Sequence, residues 1–387
     1  MREASYRSAT FWVHTLADRQ PVTVLIIAAI TLTAGACAVP AARETGSDGP
    51  SDAAVATTSD WTDPTTSTAV SPPPTSDADT TPTTLTSTTL PPQHLVIHGA
   101  GDVNVDPAYI PALASEGYGH ALSGLDGLFT TDDLTVVNLE CTPSNLGTRQ
   151  DRPFNFRCDP TALPSLAADG VDVVSLGNNH SMDYGPDALI DAVANIRQSG
   201  MAVVGAGANR TEAFRPAVFE RGRRTIAVLG FGGVYLARHW LATEDQPGIS
   251  DGLDLEAMVT AVESAASIAD VVVVTIHWCC ELETVPNTRN RIYADALIEA
   301  GATIIFGHHH HRLQAVETFD GSVVAWGLGN FVWPRLSRAG SDTAIARVVI
   351  APDGQIVACS LPATILSSGH PVLDDPSTTT CPDEARV

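Results

Sequence analysis

Polar side chains recur at the ends of short apolar runs in the second two-thirds of this 387-residue sequence. From His94 onward, β-branched runs alternate with Ala- and Leu-rich stretches, and the runs stop at carboxylate, amide or imidazole side chains. Alternation of this kind is typical of α/β domains. Ligands of open α/β sheets bind at the carboxyl ends of the strands. The sequence therefore predicts an α/β fold with a polar site at one edge of a sheet.

The alternation also predicts the individual elements. The strand candidates are 95–97, 134–137, 171–176, 271–276 and 303–306, and the helix candidates are 186–198, 253–269 and 287–300. The second helix candidate has apolar residues at a period of about 3.6 residues, as expected for one buried face. After Gly321, the runs 323–326, 345–350 and 356–361 predict strands of a second sheet, and residues 367–387 are expected to form a loose tail.

Residues 1–37 have the pattern of an export signal. Three arginines precede an apolar stretch at 22–32, and small residues follow it before Cys37. The stretch is shorter than the roughly 20 apolar residues of a membrane span, so we predict a signal peptide. The residues before Cys37 resemble a bacterial lipobox. We therefore expect Cys37 to be lipidated and to anchor the exported protein at the outer face of the cytoplasmic membrane or the cell wall. Ordinary signal cleavage and an uncleaved signal anchor are the alternatives.

Residues 38–93 are rich in Thr, Ser and Pro, and no apolar residue recurs in them with a fixed period. Such a stretch cannot bury a core, so it is predicted to be a disordered linker. The linker would hold a domain at 94–366 away from a membrane.

The formal net charge of the chain is -23. That charge argues against a nucleic-acid partner, because phosphate backbones are bound by clustered Lys and Arg.

Six cysteines follow Cys37, and an even set in an exported protein suggests disulfides. The local pairs are Cys141 with Cys158 and Cys359 with Cys381, and free thiols are the alternative. Cys279 and Cys280 come directly after His277-Trp278. They are expected to be structural or disulfide-bonded, although a thiol so near His277 could also join a site.

The strand ends supply a mixed set of metal donors. They carry Asp102, Asn104, Asn138, Glu140, Asn178, Asn179, His180, His277 and the four histidines His308, His309, His310 and His311. Imidazole suits Zn, Fe or Ni and carboxylate suits Mn or Mg, so the set predicts a catalytic transition-metal site. His309 and His311 are expected to project to one side and to share that site. Each residue alone is as well explained by a turn or a core position, and the joint occurrence indicates the metal.

In chain order, these residues resemble the bacterial capsule-synthesis CapA family of the calcineurin-like metallophosphoesterase superfamily. The resemblance covers roughly residues 94–335. Its distinctive parts are Asn178-Asn179-His180 with Asp183-Tyr184-Gly185, and the histidine block before Leu313-Gln314. The resemblance implies a four-layer α/β/β/α sandwich of the metallophosphatase type. It also implies one or two divalent ions (Mn, Zn, Fe or Mg) at the strand ends.

Carried over position by position, the resemblance implies the roles of individual residues. His180 matches the catalytic histidine, and the metal ligands implied are Asp102, Glu140, Asn179, His277, His309 and His311. Asn104 stands where the wider superfamily has a histidine. Either it coordinates through its carbonyl oxygen, or the site holds a single metal. We expect Asp183 to orient His180, because catalytic histidines usually pass their other N–H to a carboxylate. Arg157, Arg312 and Glu281 are expected to contact the substrate.

The leading hypothesis is an exported, metal-dependent hydrolase that acts on a phosphoester or polymer of the cell envelope or capsule. One alternative is a non-catalytic assembly factor for poly-γ-glutamate or capsule polymer, which would work with the machinery that makes the polymer. The other is a metal-binding surface scaffold without activity. Asn104 favours the scaffold, because the loss of an imidazole weakens one of two metal positions.

Overall fold

The computed structural model describes residues 93–386. Cys37, the predicted signal peptide at 1–37 and nearly all of the predicted linker at 38–93 lie outside them. The strands are β1 (Leu95–Val103), β2 (Leu134–Leu139), β3 (Val173–Ser175), β4 (Ala202–Val204), β5 (Ala206–Gly207), β6 (Ala217–Arg221), β7 (Arg224–Gly232), β8 (Gly248–Ile249), β9 (Val271–His277), β10 (Ile304–His308), β11 (Val316–Phe319), β12 (Ser322–Ala325), β13 (Asn330–Val332), β14 (Asp342–Ile350), β15 (Ile356–Ile365) and β16 (Pro371–Leu373). The α-helices are α1 (Pro111–Glu116), α2 (Leu163–Ala168), α3 (Pro186–Gln198), α4 (Arg210–Ala213), α5 (Leu255–Ala266) and α6 (Thr288–Glu299).

Two large sheets organise the domain. The first has the order β16-β15-β14-β1-β2-β3-β4, with β13 also paired to β1. The second has the order β11-β12-β10-β9-β7-β6. Strands β1 to β4 run parallel, as do β7, β9, β10 and β12. Because parallel strands end at the same edge, each sheet collects the carboxyl ends of its central strands on one side.

The core is divided into three apolar layers by the alternation of side chains along each strand. In β2, Val136 packs between the two sheets and Val137 packs on the opposite face. In β9, Val273 joins the same central layer, and Val274 packs outward against the second helical layer. Helices α1, α2 and α3 cover the first sheet, and α5 and α6 cover the second. The predicted four-layer α/β/β/α sandwich is therefore confirmed.

The predicted helices form where their sequences carry start signals. Helix α3 has the predicted bounds, with proline in its first turn. Helices α5 and α6 are shorter than predicted by a few residues. Asp254 accepts a hydrogen bond from the Ala257 backbone N–H, and Asn287 accepts one from that of Asn290. These side chains cap the first turns, which fixes where each helix begins. None of the helices in residues 93–386 is long and apolar enough to cross a membrane.

The strands after Gly321 do not form one separate sheet, and that prediction was wrong. Strand β12 joins the second sheet beside β10, whereas β14 and β15 extend the first sheet beside β1. The segment after Leu366, expected to be loose, adds β16 to the edge of the first sheet. Strands β4, β6 and β7 were not predicted. The destination of a strand depends on its hydrogen-bond partner, and apolar patterning alone does not identify that partner.

The two local disulfide predictions are confirmed. Cys141 is bonded to Cys158 and Cys359 to Cys381, with Cα–Cα distances of 5.7 and 5.6 Å. The second bond ties the C-terminal segment to β15. Cys279 is bonded to Cys280, so neither thiol is free to join a metal site.

Candidate metal centre

The two sheets bring their polar strand ends together. Asp102 of β1 is in register with Asn138 of β2, and His277 of β9 is in register with His308 of β10. Glu140 follows β2 directly. The acidic residues and histidines of this group are at most 1% exposed: Asp102, Glu140, His277 and His308. The predicted convergence of polar residues at one edge therefore exists, and it is enclosed by protein.

Glu140 occupies the middle of this group. Its Oε1 atom lies 3.7 Å from Nε2 of His277 and 3.9 Å from Nε2 of both His180 and His311. These distances are too long for direct hydrogen bonds. One carboxylate oxygen thus faces three imidazole nitrogens across a gap, which is the spacing of atoms that share an ion.

Three overlapping sets of side chains offer ligand atoms within 4.8 Å of one another. The sets are Glu140, His277 and His309; Asp102, Glu140 and His311; and Glu281, His309 and His311. We use "donor cluster" for Asp102, Glu140, His277, His308, His309 and His311. All five predicted His, Asp and Glu metal ligands belong to it. Of the two predicted asparagine ligands, Asn179 lies beside the cluster, with its Oδ1 atom 2.8 Å from Nε2 of His277.

Several atoms of the donor cluster are buried without a hydrogen-bond partner. They are Oδ2 of Asp102, Oε1 of Glu140, both ring nitrogens of His308 and Nδ1 of His309. An unpaired buried polar atom costs about 1–3 kcal/mol, so native proteins keep such atoms few. Their concentration at one point fits a bound cation, which would satisfy several of them together.

The histidine block enters the site through a strained turn. His309 and His311 have positive φ angles of 83° and 51°. Such angles are uncommon for residues other than glycine, and strained residues concentrate at functional sites. His311 Nδ1 lies 2.8 Å from the Asn330 side-chain oxygen and 3.1 Å from Oδ2 of Asp102. The turn allows His309 and His311 to direct their rings toward the same group of ligand atoms.

Burial and charge set the protonation of the donor cluster. Burial lowers the pKa of His277 well below its usual value and lowers the pKa of His309 to about 3. Burial also lowers the pKa of His311, but Glu140 and Asp102 outweigh it and raise that pKa to about 9. Burial, together with the charge of Asp102, raises the pKa of Glu140. His277 and His309 are therefore neutral imidazoles, the form that binds metals.

His180 is held beside the donor cluster by a chain of contacts. Its Nδ1 atom lies 2.7 Å from Oδ2 of Asp183, and the other Asp183 oxygen accepts a hydrogen bond of 2.6 Å from Arg152. Arg152 also donates to the backbone carbonyl of Asn179. Burial lowers the pKa of His180, Asp183 opposes that effect, and Arg152 adds to it. The sequence did not single out Arg152, which lies in a loop with two other arginines, 31 residues before Asp183.

The Asn104 side chain takes part in a turn. Its side-chain oxygen accepts a hydrogen bond of 2.9 Å from the Asp106 backbone N–H. The oxygen that was expected to coordinate an ion therefore supports a turn after β1. Asn138, which the sequence placed at a strand end, has a clearer role. Asn138 donates to Asp102 at 2.8 Å and lies 3.2 Å from Nδ1 of His277.

The three predicted substrate contacts divide into two groups. Arg312 and Glu281 line a cleft of about 490 Å³ that also exposes His180 and His311. Arg157 is elsewhere: it donates to the Leu146 carbonyl at 2.6 Å, and its guanidinium lies 3.6 Å from the centre of the Tyr184 ring. Arg157 is not among the residues that line the cleft. Its conformation is therefore explained by the loop that it stabilises.

The curated proteins that the chain resembles include two capsule proteins of Bacillus. It is 30% identical over 233 residues to the PGA biosynthesis protein CapA of Bacillus subtilis, covering 59% of this chain and 61% of that protein. It is 28% identical to the capsule biosynthesis protein CapA of Bacillus anthracis, covering 56% of this chain and 53% of that protein. It is also 30% identical to the "Probable polyglutamine synthesis accessory protein" of Mycobacterium tuberculosis, covering 56% and 59%. The matched part thus spans less than two thirds of each relative.

Solved structures show a weaker likeness. The NAD nucleotidase of Haemophilus influenzae matches with a TM-score of 0.42 and 10% identity, over 74% of this chain and 54% of that chain. The 5'-nucleotidase of Candida albicans matches with a TM-score of 0.41 and 10% identity, over 69% and 51%. At these scores, neither likeness says anything about activity.

The family model described as "Bacterial capsule synthesis protein PGA_cap" matches residues 96–335. This range includes every residue of the donor cluster, together with His180 and Asp183. The resemblance to the capsule-synthesis CapA family is thereby confirmed. Because the match covers more than half of the sequence, the chain belongs to the bacterial capsule synthesis protein PGA_cap family.

Proposed function

We propose that the chain is an exported, metal-dependent hydrolase of the metallophosphoesterase type, acting on a phosphoester or polymer of the cell envelope or capsule. The observation that carries this proposal is the donor cluster, in which several buried ligand atoms have no hydrogen-bond partner. A purely structural cluster would pair such atoms with each other. A hydrolytic metal site instead keeps them directed at an ion and leaves one side open to substrate.

Asp102, Glu140, His277, His309 and His311 would hold one or two divalent ions, with Asn179 and His308 beside them. Bound there, the metal supplies Lewis acidity: it polarises a phosphoryl oxygen and lowers the pKa of bound water. Imidazole suits Zn or Fe and carboxylate suits Mn or Mg, so the mixed set of ligands is compatible with more than one of these ions. Membership of the family supports an ion of this kind without identifying it.

His180 would exchange a proton with the substrate. Asp183 accepts hydrogen bonds from Arg152 and the Phe156 backbone N–H, so it is also the acceptor from His180. The Nδ1 atom of His180 then carries the hydrogen, and Nε2 is left with a free lone pair. Nε2 faces both Glu140 and the cleft. Because burial lowers the pKa of His180, the resting ring is neutral and can take a proton before it passes one to a leaving group.

Two observations support export. The six cysteines of the described residues form three disulfides, and disulfides persist in oxidising compartments. The charged, apolar and small-residue pattern of residues 1–37 supports a signal peptide, with Cys37 as the point of lipid attachment. Mass spectrometry of the mature N-terminus tests this part, and an unmodified peptide that contains Cys37 would reject the lipid anchor.

The hydrolase proposal is tested with the purified full-length chain, supplied with Mn or Zn, on a generic phosphodiester and a generic phosphomonoester. We expect turnover that disappears on chelation and in His180→Ala. The matched control is His239→Ala, because His239 is exposed and does not line the cleft beside the donor cluster. Absence of turnover with any divalent metal would reject the hydrolase.

A second candidate function is a non-catalytic assembly factor for capsule polymer. It is favoured by the relative whose name describes an accessory protein of polymer synthesis. The net charge of -23 makes a polyanionic polymer an unfavourable partner unless bound metal offsets the repulsion. Deletion strains complemented with His180→Ala distinguish the two functions. Restoration of capsule by that variant would favour the assembly factor, whereas failure would favour the hydrolase.

The third possibility, a scaffold without activity, is favoured by Asn104 in place of an imidazole. Elemental analysis of the purified protein separates it from the hydrolase. A metal-free protein that binds no added Mn or Zn would support the scaffold.

A further inference from the structure

The cleft beside the donor cluster has a polar floor and an apolar rim. Its floor exposes His180, His311 and Asn330. Its rim includes Phe154, Leu282 and Leu336, whose side chains are 61%, 58% and 81% exposed. Large apolar side chains exposed together around one opening mark a binding surface.

Three different loops supply the rim residues. Phe154 comes from the connection between β2 and α2, Leu282 from that between β9 and α6, and Leu336 from that between β13 and β14. No single loop requires this arrangement for its own packing, because each side chain is more exposed than buried. Their convergence on one opening therefore points to a shared ligand.

The walls nearest the floor are aromatic. The Phe156 ring lies 4.1 Å from the ring of His180, and the Trp333 ring lies 4.9 Å from that of His311. Both aromatic side chains are buried. The backbone N–H of Phe156 donates to Asp183 at 2.8 Å, which ties this wall to the partner of His180. A bound ligand that extends from the floor toward the opening therefore lies along apolar surface.

Arg312 adds a positive charge to the same cleft. Its Nη1 atom donates to the His311 carbonyl at 2.6 Å, which holds the guanidinium near the floor. The cleft thus offers a cation and the donor cluster at its base and hydrocarbon at its opening. A wholly hydrophilic polymer would leave that hydrocarbon in contact with polar groups or water.

We propose that this cleft selects an amphiphilic substrate, in which an anionic group at the donor cluster carries an apolar substituent that lies against Phe154, Leu282 and Leu336. The proposal rests on the proposed hydrolase function and adds the class of substrate. A cleft of about 490 Å³ has the size of sites that enclose small organic ligands. The substituent is therefore comparable with a short acyl or aryl group.

The test measures binding apart from hydrolysis. Full-length protein reconstituted with Mn is titrated calorimetrically with n-alkylphosphonates from methyl to hexyl, whose C–P bond is not a hydrolysable ester. Burial of each added methylene should lower the dissociation constant about twofold to fourfold. A dissociation constant that does not change with chain length, or no binding at any length, would overturn the proposal.

Two variants place the effect in the cleft. Phe154→Ser and Leu336→Ser should each weaken the dependence of the dissociation constant on alkyl chain length. Both side chains are exposed, so folding should be preserved. Ile268→Ser is the matched control, because Ile268 is 58% exposed and is not part of the cleft. A dependence that persists in both cleft variants would overturn the proposal.

The outcome can be separated from that of the hydrolase assay. Dependence on chain length without any turnover would reject the hydrolase and retain the amphiphile site. Turnover without dependence on chain length would reject the amphiphile site alone.

Discussion

The Nδ1 atom of His180 lies 2.7 Å from Oδ2 of Asp183, three residues further along the chain. The turn that follows β3 brings these two side chains together. Arg152, from a loop distant in sequence, donates to the second Asp183 oxygen. Asp183 also accepts the Phe156 backbone N–H. With three donors around one buried carboxylate, the orientation of His180 is determined by the protein before any substrate arrives.

Asp183→Asn should therefore reduce kcat by about 10- to 100-fold, the usual effect of removing a carboxylate that orients a functional histidine. The KM should change little, because Asp183 does not line the cleft. Steady-state kinetics over a range of pH values check this, since a change in the pH profile would not follow from a merely structural role. The matched control is Asp187→Asn, an exposed residue in the first turn of α3. Equal loss in both variants would contradict the role of Asp183.

Glu140→Gln and His277→Ala should each lose bound metal, because both residues supply atoms to the same set of ligands. Glu281→Gln should retain the metal, since Glu281 is exposed whereas Glu140 and His277 are buried. Elemental analysis after dialysis measures the result. Chelation of the wild-type protein should lower its melting temperature, because a ligand present at 100 times its Kd stabilises by about 2.7 kcal/mol. Full metal occupancy in Glu140→Gln would contradict the assignment.

Asn104→Ala should lower the free energy of unfolding by about 1–3 kcal/mol, because the buried Asp106 N–H loses its acceptor. The metal content should not change, since the Asn104 oxygen is used by the turn. Asn104→Ser is the control, because a hydroxyl can still accept from a backbone N–H two residues on. Urea denaturation and elemental analysis give the two quantities. Loss of metal in Asn104→Ala at unchanged stability would show that Asn104 is a ligand.

Gly307→Ala should destabilise the protein by about 1–3 kcal/mol, the usual cost of overpacking. A Cβ atom at this position would meet the Trp326 carbonyl oxygen and lie 2.7 Å from the Trp278 ring nitrogen. Because Gly307 directly precedes the histidine block, the shift should also weaken metal binding. Gly119→Ala is the control, since nothing lies within 4 Å of its added Cβ. Thermal denaturation and metal titration check both effects, and equal stability of the two variants would contradict the expected clash.

Glu384→Gln should reduce stability at neutral pH and have less effect in acid. Hydrogen bonds from Arg347 hold the pKa of Glu384 below its ordinary value, and partial burial opposes them. A lowered carboxyl pKa stabilises the fold above the unfolded pKa of about 4.3 and ceases to do so as the pH falls through the folded pKa. The side chain is partly solvated, so we expect a difference of at most about 1 kcal/mol. Denaturation of both proteins at several pH values, with the exposed Glu299→Gln as control, measures it. A difference that is constant from neutral pH to pH 3 would contradict the ion pair.

Sequence reasoning predicted the structure best at polar residues that end apolar runs and at cysteines that are close together in the chain. The strand ends at Asp102, His277 and His308 could be predicted because buried apolar runs stop there, and parallel strands end at a common edge. The disulfides Cys141–Cys158 and Cys359–Cys381 followed from proximity in the chain. The strand pairings of β12, β14 and β15 could not be predicted, because apolar residues fit either face of either sheet.

The sequence by itself determined the α/β class through its periodicity and the family through the order of residues along the chain. The four layers were expected from the resemblance to that family. Only the tertiary structure decided how individual polar groups are used. It directs the Asn104 oxygen to a turn, places Arg157 against Tyr184 and brings Arg152 to Asp183. The physical reason is that a hydrogen bond or a metal ligand requires atoms within about 3 Å. That precision comes from the packing of distant loops and not from any local pattern.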